Sequence, residues 1–238
     1  MTARRKNKMN KRKIAIFDID GTIFRKNLQF ELINELSWMN IFPRKVRDQI
    51  VDLYTNWLEH KGTYEAYRLG LVNLYEKYIK GCRIEDVQRA SRIVISFHKD
   101  RTYIFAEQLI RRLRQENYHI IAVSGSPIEI VREYNDRHLK FDAVFGSVYD
   151  YDKKGIYTGQ SQYEPVKHKG SLVKQYLFEH NMTLEDSYGM GDTESDASFL
   201  ELVEHPIAFN PNENLKAIAE EKGWRVVVEK KDVIYEIK

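Results

Sequence analysis

Two aspartates, Asp18 and Asp20, follow directly on a short apolar run, Ile14-Ala15-Ile16-Phe17. The run reads as a buried central strand. Chain that stays extended past its end sends alternate side chains the same way, so both carboxylates can face one side of the sheet edge. A carboxylate can attack phosphorus and form an acyl-phosphate, while a second carboxyl group protonates the leaving oxygen and later activates water. Gly21 permits a sharp turn, and Thr22 can cap the next helix and orient its neighbours. Asp-x-Asp also opens a calcium-binding EF-hand loop, which needs glycine at position 6 and glutamate at position 12. Here glycine stands at position 4 and Gln29 at position 12, so that reading fails.

Three later clusters suit the same chemistry. Ser124-Gly125-Ser126 lies ahead of a helix expected near Pro127, and hydroxyls with backbone N–H groups at a helix start make a phosphate seat. The same tetrapeptide is also ordinary turn and capping chemistry. Lys167, His168 and Lys169 precede a helix beginning near Gly170. A lysine there could neutralise phosphoryl charge and keep a nucleophilic carboxylate ionised, though most lysines simply solvate a surface. Gly191-Asp192-Thr193-Glu194-Ser195-Asp196 then brings further carboxylates. Magnesium takes hard oxygen ligands and keeps several waters, so Asp192 and Asp18 could share one ion.

Positioning these clusters requires strands that end together. Apolar β-branched runs predict strands over 14–17, 119–124, 141–148, 187–191, 206–209 and 224–228, with a β-excursion around 149–158. Helical patterns intervene over 129–139, 170–181, 197–203 and 214–222. Strands alternating with helices imply a parallel sheet covered on both faces, with its site at the carboxyl ends of the strands. Residues 27–115 are helical in pattern; Ile50, Leu53, Tyr54, Trp57 and Leu58 make one apolar face.

A chain of 238 residues suffices for a core domain with a smaller inserted module. No stretch approaches the roughly 20 apolar residues of a membrane span. The single cysteine, Cys82, cannot form an intramolecular disulfide, and the basic N-terminus lacks a signal peptide's apolar core, so a reducing cytoplasm is expected. The net charge of +3 comes from a tail: Arg4, Arg5, Lys6, Lys8, Lys11, Arg12 and Lys13 are basic, and without them 31 basic residues face 35 acidic ones. Such a run could contact nucleic acid or anionic lipid; the simpler reading, preferred here, is a solvated terminus.

Taken in order, these motifs resemble the haloacid dehalogenase superfamily, in the branch that contains phosphoserine phosphatase. The resemblance spans nearly the whole chain after residue 13, and the run Phe209-Asn210-Pro211 belongs to it. It implies a doubly wound, Rossmann-like α/β core (14–26 and 100–238) with an inserted α-helical cap (27–99). It implies Asp18 as the phosphorylated nucleophile and Asp20 as acid and then base, with its backbone carbonyl on the metal. Thr22, Ser124, Gly125 and Lys169 are expected at the phosphoryl group; Lys169 is preferred to Lys167 because Lys-Gly directly precedes the helix. Mg²⁺ would be held by Asp18, Asp20 and Asp192, with Asp196 in support. The partner implied is a small phosphorylated metabolite. One departure concerns substrate: phosphoserine phosphatases resemble one another in an acidic residue nine positions after the nucleophile, where this chain has Asn27, with Glu31 a helical turn further on. Arg25, Trp57, Tyr64, Tyr67 and Arg68 are candidates to line a pocket for another phosphomonoester, although aromatic residues at helical spacing commonly form core. Two other functions share these features: phosphoryl transfer to another acceptor, and a non-catalytic binding protein of the same fold that uses its basic tail.

Overall fold

The computed structural model describes residues 12–237. Arg4, Arg5, Lys6, Lys8 and Lys11 of the basic run lie outside them. Arg12 and Lys13 lie within and pair with the body, Arg12 with Asp142 at 3.2 Å and Lys13 with Asp186 at 2.5 Å.

Eight strands form one sheet among the described residues: β1 (Lys13–Phe17), β2 (His119–Pro127), β3 (Ala143–Tyr151), β4 (Tyr157–Tyr163), β5 (Thr183–Gly191), β6 (His205–Phe209), β7 (Arg225–Lys230) and β8 (Val233–Ile237). Their order is β4-β3-β2-β1-β5-β6-β7-β8. The six inner strands run parallel, and an antiparallel strand closes each edge, β4 on β3 and β8 on β7. The fold is therefore a mixed Rossmann-like sheet rather than a purely parallel one. Both edge strands follow by short turns from the strands they pair with, a connection only antiparallel neighbours allow.

Period-2 alternation along the strands builds two cores. Ala15 and Phe17 of β1, Ile120 and Ala122 of β2, and Ile207 and Phe209 of β6 face one side. Ile14 and Ile16, Ile121 and Val123, and Ala208 face the other. The second face is covered by α7 (Lys169–Glu179), α8 (Ala197–Leu200) and α9 (Glu213–Lys222). The first is covered by α5 (Ile104–Gln115) and α6 (Ile128–Tyr134) and continues into the inserted cap, α1 (Leu28–Trp38), α2 (Lys45–Leu58), α3 (Tyr64–Ile79) and α4 (Ile84–His98). The cap is also stitched to the β3–β4 hairpin by backbone bonds: Gly81 N–H to Tyr157 O, Tyr157 N–H to Cys82 O and Ile84 N–H to Gly155 O, all 2.9 Å. No helix among the described residues is long and apolar enough to cross a membrane.

Candidate active site

The loop after β1 is wound about one carbonyl: Ile19 O accepts from the N–H groups of Thr22, Ile23 and Phe24 at 3.3, 2.9 and 2.8 Å. Gly21 sits in this turn at φ +84°, and a Cβ there would lie 2.1 Å from Asp192 Oδ2. Only glycine lets the first acidic loop lie against the carboxylate of the last. The Asp18 N–H donates to Met190 O at 2.9 Å, which ties the loop to the end of β5.

Four carboxylates and one ammonium group converge there. Lys169, the first residue of α7 and only 2% exposed, places Nζ 2.6 Å from both Asp18 Oδ1 and Asp196 Oδ1. Burial alone would lower its pKa; the charges of Asp18 and Asp196 outweigh that and raise it. Asp196 is fully engaged, because its Oδ2 accepts from the N–H groups of Asp192 and Thr193, each at 3.0 Å. Its part is to hold Lys169 and shape the loop. Asp18 Oδ2, by contrast, is buried without a hydrogen-bond partner among the described residues. Burial pushes the Asp18 pKa up to about 8; Lys169 opposes the rise, and Asp196 and Asp20 add to it. Asp192 is raised for the same reasons, burial first and then Asp18 and Asp196. Among the described residues its only side-chain hydrogen bond is a long one, 3.5 Å from Thr22 Oγ1.

Oxygens of Asp18, Asp192 and Asp196 lie within 4.8 Å of one another. Clustered buried acids with an orphaned oxygen, in excess of the single lysine, are what a divalent cation would stabilise. With Asp196 occupied by Lys169 and the loop N–H groups, Asp18 Oδ2 and Asp192 are the side-chain oxygens that fit such an ion.

Asp20 is held by a different set of donors. Its Oδ1 accepts the Leu28 N–H at the start of α1 at 2.5 Å, and its Oδ2 accepts the hydroxyls of Ser124 and Ser126, both at 2.8 Å. Burial raises its pKa even against those bonds. Ser124 and Thr22 therefore spend their hydroxyls on Asp20 and Asp192. A small cavity of about 40 Å³, room for roughly three waters, is lined by Gly125, Ser126 and Lys169 together with Asp18, Asp20 and Asp192. Ser126 was expected only as part of a phosphate seat, and its bond to Asp20 was missed. Its signal was present: residues 124 and 126 are two apart on an extended chain and so share a side, and β2 continues to Pro127 rather than ending at Ser124. Lys167 points outward and pairs with Glu164 at 3.0 Å.

The cap residues divide. Asn27 caps α1, accepting the Phe30 N–H at 2.9 Å. Glu31 is buried within 3.4 Å of Lys26, 3.6 Å of His98 and 3.4 Å of Arg101, and lines neither this cavity nor its neighbour. Arg68 reaches the small cavity while bound to Glu65 at 2.6 and 2.8 Å. Arg25, Trp57, Tyr64 and Tyr67 line a second cavity of about 470 Å³ beside the first.

A mixed, largely parallel sheet with acidic loops at its strand ends and an inserted helical cap defines a capped Rossmann-like α/β protein. The family model for haloacid dehalogenase-like hydrolases matches residues 15–201, and the chain belongs to that family. Among curated proteins it is similar to a histidinol-phosphatase of Neisseria meningitidis serogroup C (strain 8013), 23% identical over 90% of this chain and 97% of that one. Among solved structures, a protein of unknown function from Bordetella pertussis Tohama I has a TM-score of 0.71 at 21% identity, covering 91% of this chain and 98% of that one. A phospho-aspartyl intermediate analogue of phosphoserine phosphatase has a TM-score of 0.63 at 23% identity, covering 93% and 95%. At these identities the solved structures speak for the fold.

Proposed function

We propose that this chain is a Mg²⁺-dependent phosphatase that hydrolyses a small phosphomonoester through a phosphoryl group carried on Asp18. The observation that carries this reading is the asymmetry of the Asp18 carboxylate, with Oδ1 fixed by Lys169 and Oδ2 buried and unpartnered. A carboxylate so held is oriented for attack yet not saturated with donors.

Asp18 and Asp192 would hold the ion, which when bound supplies positive charge to the phosphoryl oxygens and keeps both carboxylates ionised. Lys169 fixes the Asp18 rotamer and adds a second positive charge. An Asp18 oxygen forms a bond to phosphorus as the bond to the ester oxygen breaks, and Asp20 gives that oxygen its proton. The raised pKa of Asp20 keeps it protonated closer to neutrality than an exposed aspartate. Water then attacks the acyl-phosphate, Asp20 takes the water's proton, and phosphate and free Asp18 are released. Gly125, which lines the same cavity, would meet a remaining phosphoryl oxygen through its backbone.

Phosphoserine does not suit this site. Asn27 carries no charge, and the Glu31 carboxylate is committed to the cations of Lys26 and Arg101 and to the His98 ring, and lines neither cavity. Release of nitrophenol from p-nitrophenyl phosphate should require Mg²⁺ and vanish in Asp18→Asn. Turnover that survives in Asp18→Asn, or that is absent with every phosphate ester, would sink the proposal; turnover that needs an added alcohol would make the chain a transferase.

A further inference from the structure

The 470 Å³ cavity adjoins the small one, since Asn27, Tyr64 and Asp192 line both. Six aromatic side chains wall it: Phe30, Tyr54, Trp57, Tyr64 and Tyr67 from the cap, and Tyr103 from the core side. Trp57 is their hub. It stacks on Tyr67 with ring centroids 5.7 Å apart and planes 15° apart, meets Tyr64 edge-on at 5.2 Å, and touches Tyr54 at 5.6 Å.

Rings three residues apart on a helix ordinarily make core, and Tyr67, 5% exposed, is core. The others differ. Tyr54 is 38% exposed, and Phe30, Trp57 and Tyr64 are half-buried against the void. Apolar area left uncovered forgoes roughly 25 cal/mol per Å², and a concave aromatic wall beside a few polar groups is the composition of a ligand pocket.

Charge at the rim narrows the occupant. Arg25 is bound to Glu229 and lies 4.9 Å over the Tyr103 ring, and Lys26 is paired with Glu31 at 3.4 Å. Those are the only cations among the described lining residues, while Glu213 stands exposed on the rim. A carboxylate or second phosphate on the substrate would find no unpaired cation here, and a bare polyol would leave the rings uncovered.

We propose that the alcohol of the substrate carries an aromatic or heteroaromatic ring, and that this ring stacks on Trp57 and Tyr64 while its phosphoryl group sits at Asp18. The proposal rests on the phosphatase reading above. It is tested with 2-phenylethyl phosphate and 2-cyclohexylethyl phosphate, which match in length and in the character of the leaving alcohol, so that only the ring differs. With Mg²⁺, kcat/KM should favour the phenyl ester by roughly two- to twelvefold, the factor that ring–ring contacts supply beyond burial. Trp57→Leu should erase the preference and Trp57→Phe should keep most of it. Equal kcat/KM for the two esters in the wild-type protein overturns the proposal and leaves the phosphatase reading standing, as does a preference that Trp57→Leu retains. If neither ester nor p-nitrophenyl phosphate is hydrolysed, the phosphatase reading has failed. Calorimetric titration of the two esters with Mg²⁺ present then decides the pocket by itself: tighter binding of the phenyl ester supports it, and equal or absent binding overturns it.

Discussion

Replacing Gly21 with alanine separates the backbone of the first acidic loop from the geometry of the carboxylates. The new Cβ would begin 2.1 Å from Asp192 Oδ2 and 2.9 Å from its Cγ. An ordinary contact is near 3.5 Å, so the carboxylate must retreat by more than about 1 Å. It can do so by turning its side chain, whose one side-chain hydrogen bond among the described residues is the 3.5 Å approach of Thr22. Stability should therefore fall mainly by the left-handed backbone term, about 1–2 kcal/mol, which for a chain this long lowers Tm by roughly 2–8 °C. Function should fall much further, since a 1 Å misplacement of a site group can cost ~100-fold. Gly223→Ala is the matched control: φ there is +66° and a Cβ would meet nothing within 4 Å. The two variants should lose similar stability by thermal denaturation, yet in Mg²⁺-dependent hydrolysis of p-nitrophenyl phosphate only Gly21→Ala should lose about two orders of magnitude in kcat/KM. Gly21→Ala activity within a few-fold of Gly223→Ala would refute the packing of that loop against a working Asp192.

Three further outcomes follow from the same cluster. Lys169→Met removes the only cation among the described residues bonded to Asp18 and Asp196 and should cost about 3–5 kcal/mol at pH 8 but clearly less at pH 5, where the raised pKa of Asp18 leaves it protonated; urea denaturation giving equal losses at both pH values would contradict this. Because the folded-state pKa of Asp18 is raised to about 8, its stabilising contribution is present below pH 4 and is lost as pH climbs towards 8, by at most about 1.4 kcal/mol per pH unit for each proton released. The rise in Tm on adding Mg²⁺ should therefore be larger at pH 8 than at pH 5, and a pH-independent rise would count against the cation site. Ser126→Ala deletes one of two hydroxyls donated to Asp20 Oδ2, a loss that disfavours the ionised form, so the alkaline limb of the kcat profile should move up by up to about one pH unit; a limb that stays put or moves down would show that Asp20 is not the acid.

What the sequence revealed and what it hid divide by range. β1 and its Asp18 loop are a contiguous signal, an apolar run that stops at an acid, and read directly; β5 reads less fully, because Thr183–Gly191 carries Glu185 and Asp186 and only its last five residues were expected as strand. The alternation that sends Ile14 and Ile16 one way and Ala15 and Phe17 the other is equally local. Asp20 was harder, because its real partners are Leu28 eight residues on and two serines more than a hundred residues away. Only the pairing of β1 with β2 brings those serines alongside. β8 was not anticipated: Val233–Ile237 is a lone, largely exposed edge strand whose pattern has no buried face to announce it. The cap rings show the opposite case, since spacing identified an apolar helix face but could not say that part of it borders a void.

The most direct test of the central claim is a pre-steady-state experiment with Asp20→Asn and p-nitrophenyl phosphate in Mg²⁺. Nitrophenol leaves without help from an acid, so Asp18 should still be phosphorylated, while water attack lacks its base. A burst close to one nitrophenol per protein should precede slow turnover, and acid-quenched protein should carry one phosphoryl group on the peptide that contains Asp18. Fast turnover without a burst, or a phosphoryl group on any other residue, would contradict the account.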